Sequence, residues 1–290
     1  MKIAYLDTFA GISGDMMVGA LLHLGVSLDA LRAELGKLPF DDYHLTQTER
    51  IQSGICATQF RVEVNEPPTE RSFGMIRQML EHSGLIPQVQ AIALRIFTVL
   101  AEAEGRVHGV TPEAVHFHEV GAIDSIVDIV GTAFGLHSLG IEHVYVSTMP
   151  MGAGMVPSRH GVLPIPGPAT VELLQGFHVQ FGSSDTELVT PTGAAIVAAL
   201  AQHGPMPPLR LLAVGYGAGE RTLPDRPNLL RVLVGSRDEG LQTHAGSLTT
   251  MDKQGVSIIL HKHEHTHGRG GTHEHSHHLP EETADNGNQG

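Results

Sequence analysis

Apolar and polar positions along the chain switch between a period of two and a period near 3.6, and the switches divide it into short strands and helices. Residues 3–6 form a continuous apolar strand that ends on Asp7. A glycine-containing loop follows, and then Met16, Met17, Ala20, Leu21 and Leu24 recur at helical spacing up to Gly25. Residues 28–35 predict a second helix. Residues 43–51 and 55–64 predict a hairpin turning at Ser53-Gly54, where Cys56, Thr58, Phe60, Val62 and Val64 alternate with Arg61 and Glu63. That register places Cys56 on the apolar side as a small core residue. Helices are predicted over 72–82 and 87–108. Val115 and Phe117 alternate with His116 and His118 as in a short strand, which Gly121 breaks. Ile123, Ile126, Val127, Val130 and Phe134 then repeat helically up to Gly140, with Gly131 and Gly135 forming a seam on which another backbone could lie. A strand at 144–147, helices at 169–174 and 194–200, and a last strand at 228–234 complete the pattern.

Strands alternating with helices predict an α/β domain over residues 1–235, a mixed sheet flanked by helices on both sides. Residues 236–290 are rich in Gly, Thr, His and Glu and read as a disordered His-rich tail, with 256–260 its main apolar stretch.

Composition excludes several classes. The formal net charge of −13 and the lack of a Lys/Arg cluster argue against a nucleic-acid partner. A single cysteine rules out an intramolecular disulfide and fits the cytoplasm. The longest apolar run, around 194–201, falls far short of the roughly 20 residues a membrane-spanning helix needs.

The chemistry concentrates at strand-to-helix turns, where α/β folds place their sites. The run H-F-H-E-V-G-A-I-D-S-I-V-D supplies His116, His118, Glu119, Asp124 and Asp128. Asp124 and Asp128 share one face of a helix that is apolar on its other sides, and buried carboxylates need a partner such as a metal ion. At the first turn Ser13 is a candidate cap and the free N–H groups behind it would attract an anion, but Asp15 competes with phosphate there unless a cation lies between them. Glu104 and His108 stand four apart at a helix end, either as an exposed ion pair or as metal ligands. Arg159 and His160, flanked by small residues, are candidates for an anionic substrate, and Thr190 and Thr192 open a helix as a phosphate cradle or a plain cap would. Gly215, Gly217 and Gly219 either admit a ligand backbone-close or turn a corner. Imidazole suits nickel, zinc and copper alike, whereas carboxylates also suit magnesium or manganese. Eight histidines between His261 and His278 could collect borderline metal through many exchanging contacts.

Five segments together resemble one family, the nickel-insertion proteins of nickel-pincer cofactor biosynthesis (LarC). They are D-T-F-A-G-I-S-G-D-M from Asp7, V-H-F-H-E-V-G-A-I-D-S-I-V-D-I-V-G from Val115, H-G-V-L-P-I-P-G-P-A-T from His160, T-P-T-G-A-A from Thr190 and G-Y-G-A-G from Gly215. The resemblance covers residues 1 to about 235 and implies an enzyme of the lyase class. Such an enzyme places Ni²⁺ into pyridinium-3,5-bisthiocarboxylic acid mononucleotide, making one nickel–carbon and two nickel–sulfur bonds, and the product is the cofactor of lactate racemase. It further implies CTP with Mg²⁺ or Mn²⁺, at a site in a C-terminal domain that these residues do not resemble, joined by frameshift fusion or supplied in trans. A homo-oligomer is expected. On this reading His116, His118, Asp128, Glu104 and His108 hold metal. Asp7, Asp15, Glu119 and Asp124 are the catalytic candidates, and Ser13, Arg159, His160, Thr190 and Thr192 hold the substrate. The alternatives are a non-enzymatic nickel carrier and a metal-dependent phosphohydrolase.

Overall fold

The computed structural model describes residues 1–64, 71–117, 121–182, 184–204 and 206–237, together with the backbone of 249–251 and 257–259. In chain order the elements are β1 (Lys2–Asp7), α1 (Gly14–His23), α2 (Leu28–Leu35), β2 (Tyr43–Gln52), β3 (Ile55–Val64), β4 (Arg71–Ser72), α3 (Phe73–Glu81) and α4 (Pro87–His108). A 3₁₀ turn at Pro112–Ala114 leads to β5 (His116–Phe117), α5 (Ile123–Ser138), β6 (His143–Val146), β7 (Met149–Met151), β8 (Met155–Ser158) and β9 (Gly161–Pro164). The rest are α6 (Pro168–Leu173), β10 (Val179–Phe181), α7 (Pro191–Leu200), β11 (Ala201–His203), β12 (Arg210–Ala218) and β13 (Leu229–Ser236).

Seven strands form one mixed sheet in the order β11-β6-β1-β13-β12-β3-β2. β1 pairs parallel with β6 and antiparallel with β13. The α/β class expected from periodicity is the one observed, and helices flank the sheet. They lie on one face of its central strands, not on both. Ala4, Leu6, Val144, Val146, Leu230, Val232 and Val234 are buried on that face, whereas Tyr5, Tyr145, Arg231 and Leu233 on the other keep partial exposure. Alternation this regular is what a sheet covered on one side produces.

The helix nearest the sheet explains two glycines. A Cβ on Gly217 would come within 1.8 Å of the Met16 carbonyl oxygen, and one on Gly215 within 2.4 Å of that of Ala20. These glycines therefore sit inside β12, under α1, and serve helix-to-strand contact; they neither line a ligand nor turn a corner. The Gly131/Gly135 seam receives α1 as its spacing implied, since added Cβ atoms would meet Val18 and Leu21. Behind this layer the ring of Phe117 packs on Phe73 and Phe97, all three buried. Each such burial contributes about 1.5–3 kcal/mol.

The hairpin at Ser53-Gly54 forms as expected, with both residues at positive φ, the conformation a tight hairpin turn requires. Cys56 is exposed, not in the core, because the strand end next to that turn runs out beyond the helical layer, while Thr58 and Phe60 further along are buried. Contacts divide the chain into two units, Met1–Leu241 and Gln242–Gly290. In the second, Thr249–Met251 pairs antiparallel with Ser257–Ile259. The expected disordered tail and its histidines otherwise lie outside the described residues. No helix among the described residues is long and apolar enough to cross a membrane.

Candidate functional site

The first loop is locked onto the segment that enters α7. Ile12 N–H donates to the Leu188 carbonyl at 2.9 Å, and Thr190 N–H donates back to the Ile12 carbonyl at 3.1 Å. Gly11, at φ +105°, leaves no room for a side chain, because a Cβ would lie 1.9 Å from the Leu188 oxygen. The contact brings the N-termini of α1 and α7 side by side: a Cβ on Gly193 would meet both the Ile12 carbonyl and the Ser13 Cα. Helix N-termini offer free N–H groups and positive potential to an anion.

Asp15 and Asp128 lie beside those termini. Asp128 comes from α5, and its carboxyl is pressed against Gly14, the first residue of α1. Its Oδ1 is sealed from solvent and has no hydrogen-bond partner. Burial, then the neighbouring charges of Asp15 and Asp124, raise its pKa well above the ordinary carboxylate value. Asp15 is raised too, by burial first and by Glu220, against the hydrogen bond from Ser13 that favours its ionised form. Two carboxyls so placed resist carrying charge together unless a cation joins them. Ser13 occupies the N-cap of α1 without capping it, and its hydroxyl donates to the Asp15 carboxylate instead. Thr190 does cap α7, accepting the Gly193 N–H at 3.2 Å, and its hydroxyl lies 2.9 Å from that of Thr192.

The other candidates are distributed differently. Asp7 is on the uncovered face of the sheet, tied by two hydrogen bonds to Arg231 of β13 and separated from Asp15 and Asp128 by the sheet itself. Asp124 is exposed and holds the Ser125 N–H at 2.8 Å, so of the two carboxylates expected to be buried on α5 only Asp128 turns inward. His116 is exposed on β5 opposite the buried Phe117. His118 and Glu119 lie outside the described residues. Glu104 Oε2 and His108 Nε2 are 3.3 Å apart at the end of α4, and the His160 ring stands 4.9 Å from that of His108 between centroids. Arg159 and His160 form the two-residue turn of the β8–β9 hairpin. Three contributors escape sequence reading: Arg231 as the partner of Asp7, Glu220 near Asp15, and the hairpin. The first two are distant in sequence, and prolines at positions 157 and 164 disguise the third as a loop.

A helical layer that gathers carboxylates and imidazoles at helix ends defines a metal-handling α/β protein. Comparison supplies the family: a family model described as nickel insertion protein matches residues 4–260, and the chain belongs to that family. A relative from Geobacter sp. (strain M21), provisionally described as a nickel insertion protein, is 54% identical over 242 residues, which is 83% of this chain and 63% of that one. One from Syntrophobacter fumaroxidans is 50% identical over 242 residues, 83% of this chain and 62% of that one. A third, from Geobacillus kaustophilus, is a pyridinium-3,5-bisthiocarboxylic acid mononucleotide nickel insertion protein. It is 46% identical over 271 residues, 90% of this chain and 66% of that one. The chain thus spans less than two thirds of the length of the first relatives it matches. No solved structure matches it.

Proposed function

We propose that this chain binds nickel and the substrate phosphate in the insertion of nickel into pyridinium-3,5-bisthiocarboxylic acid mononucleotide, yielding the nickel-pincer cofactor of lactate racemase. The name of the Geobacillus kaustophilus relative supports that substrate. In this reading the remaining third of the relatives' length corresponds to the CTP-binding domain, fused or in trans, and CTP with Mg²⁺ or Mn²⁺ drives the reaction there.

The observation that carries the reading is the orphaned Oδ1 of Asp128 beside two helix N-termini. A buried carboxylate oxygen without a donor is the residue type and setting that a hard divalent cation takes, through oxygen ligands. Mg²⁺ or Mn²⁺ held by Asp15 and Asp128 would neutralise the pair and attract the substrate phosphate. The free N–H groups at the start of α1 and α7 and the hydroxyls of Thr190 and Thr192 would orient that phosphate. Nickel, the second substrate, would enter at the imidazoles, with Glu104, His108 and His116 among its ligands and His118 beside them in sequence. The lyase class, the cytoplasm and a homo-oligomer belong to the same proposal.

The test is cofactor formation from the mononucleotide with Ni²⁺, CTP, Mg²⁺ and the C-terminal domain supplied separately. Product with the wild type, lost in Asp128→Asn, supports the reading. No product with the wild type, or full product when His116 and His118 are both replaced by Ala, overturns it. Truncation after Ser236 separates the carrier alternative: a carrier loses metal binding and cofactor formation together, whereas an inserting enzyme still forms product at high nickel.

A further inference from the structure

We propose that His160 joins Glu104 and His108 as ligands to one borderline divalent metal ion, so that metal binding fixes the β8–β9 hairpin onto the end of α4. The identity of the ion as nickel rests on the function proposed above; the geometry does not.

The distances are those of ligands more than those of neighbours. A charge-assisted hydrogen bond between His and Glu is about 2.7–2.9 Å long, and Glu104 Oε2 to His108 Nε2 is 3.3 Å. Two donor atoms each roughly 2.0–2.2 Å from one ion at a tetrahedral angle stand about 3.3–3.5 Å apart. The His108 and His160 centroids are 4.9 Å apart with the rings tilted by 45°, which is neither stacked nor edge-on. An imidazole centroid lies about 1.1 Å behind its ligating nitrogen, hence about 3.2 Å from the ion, and a separation near 4.9 Å then corresponds to an angle at the ion of about 100°. His178 and His203 approach similarly, at 4.8 Å, but among the described residues neither has an ion pair with a carboxylate. Only the α4 pair combines imidazole with an anionic oxygen.

The supporting structure divides in two. Glu104 and His108 project from one face of a helix of 22 residues, in its last turn, where the carbonyl ends favour a cation. Gly105 fixes the exit from that turn, since a Cβ there would lie 2.8 Å from the Val110 oxygen. His160 arrives on an element of another kind. β8 and β9 form a sheet of their own, apart from the seven-stranded one, and Met155 and Val162 are 61% and 62% exposed. Its tip is ordered locally, with Ser158 Oγ accepting the His160 N–H at 3.1 Å and donating to the Gly161 carbonyl at 2.9 Å. Among the described residues no three His, Cys, Asp or Glu side chains converge closely enough to enclose an ion. Two ligands are thus preset on α4, and the third comes by a small inward movement of the hairpin tip.

Hydrogen exchange of the full-length chain, read by mass spectrometry with and without NiCl₂, tests this locally and so is unaffected by metal bound at the tail histidines. Nickel should slow exchange across residues 155–164 about tenfold in the wild type. His160→Ala and His108→Ala should abolish that slowing while leaving exchange in α5 unchanged, and His178→Ala should retain it. No slowing in the wild type, or slowing that survives His160→Ala, would overturn the proposal. Slowing that depends on His160 in a protein that forms no cofactor would leave this site standing and remove the function proposed above; cofactor formation without slowing would do the reverse.

Discussion

The carboxyl of Asp128 occupies the space that a side chain on Gly14 would need: a Cβ there would lie 2.6 Å from both Cβ and Oδ2 of Asp128. The start of α1 and the middle of α5 therefore cannot separate without opening the carboxylate pair. Gly14→Ala must push Asp128 aside, and overpacking of this kind costs about 1–3 kcal/mol. Denaturant unfolding should show that loss, and Mn²⁺ titration followed by electron paramagnetic resonance should show binding weakened with it.

Asp128→Asn should change how stability depends on pH. The folded carboxyl holds its proton more tightly than the unfolded one, so the folded state binds more protons between the ordinary carboxylate value, 3.8, and the raised one. Stability is then full below about 3.8 and falls as pH rises through the raised value. Without metal, the Asn variant should be the more stable protein at pH 7 and equal to wild type near pH 3.5, as judged by denaturation midpoints. The opposite order at pH 7 would show that the ionised carboxylate is already satisfied.

Asp7 and Asp128 should respond differently to metal. Asp7 is neutralised by Arg231, a side chain 42% exposed, so Asp7→Asn should cost under about 1 kcal/mol. Mn²⁺ affinity should stay within about twofold of wild type in that variant and fall at least about tenfold in Asp128→Asn, by calorimetric titration. Equal losses would mean that the sheet does not separate the two sites.

The two helix starts at the site should also differ. Thr190→Ala removes a cap and should cost about 1 kcal/mol. Ser13→Ala removes no cap, so its effect should fall on titration: without its hydroxyl Asp15 should bind its proton more tightly still. Nuclear magnetic resonance titration of the Asp15 carboxyl checks the direction.

Backbone contact under α1 makes a last comparison. Gly217→Ala places a methyl group 1.8 Å from the Met16 oxygen, with backbone on both sides, and should cost at least about 3 kcal/mol or prevent folding. Gly167→Ala meets nothing within 4 Å and should stay within about 0.5 kcal/mol. Thermal unfolding of both variants decides it.

Much of this molecule is local information. The apolar period that starts at Met16, the Ser53-Gly54 turn, the seam of Gly131 and Gly135, and Thr190 before α7 are each written within a few residues, because caps, turns and amphipathic faces act over that range. The resemblance to the nickel insertion family was legible for the same reason, in short runs such as T-P-T-G-A-A. β8 and β9 were not legible, since their prolines imitate a loop, and β12 was hidden by the glycines that let α1 lie on it.

What only the tertiary structure decided is which of these local pieces meet. Asp7 and Asp15 are near in sequence, yet the sheet sends one to Arg231 and the other to Asp128. Asp124 and Asp128 share a helix face, yet one is exposed and the other is sealed against Gly14. His160 follows Arg159 in a turn that looked ready for an anion, and the fold sets its ring beside His108 instead. The sequence by itself determined the elements and the kinds of ligand available, since these depend on neighbours along the chain. Burial, charge pairing and the convergence of ligands depend on neighbours in space, and those came only with the one-sided packing of α1, α4, α5 and α7 on the sheet.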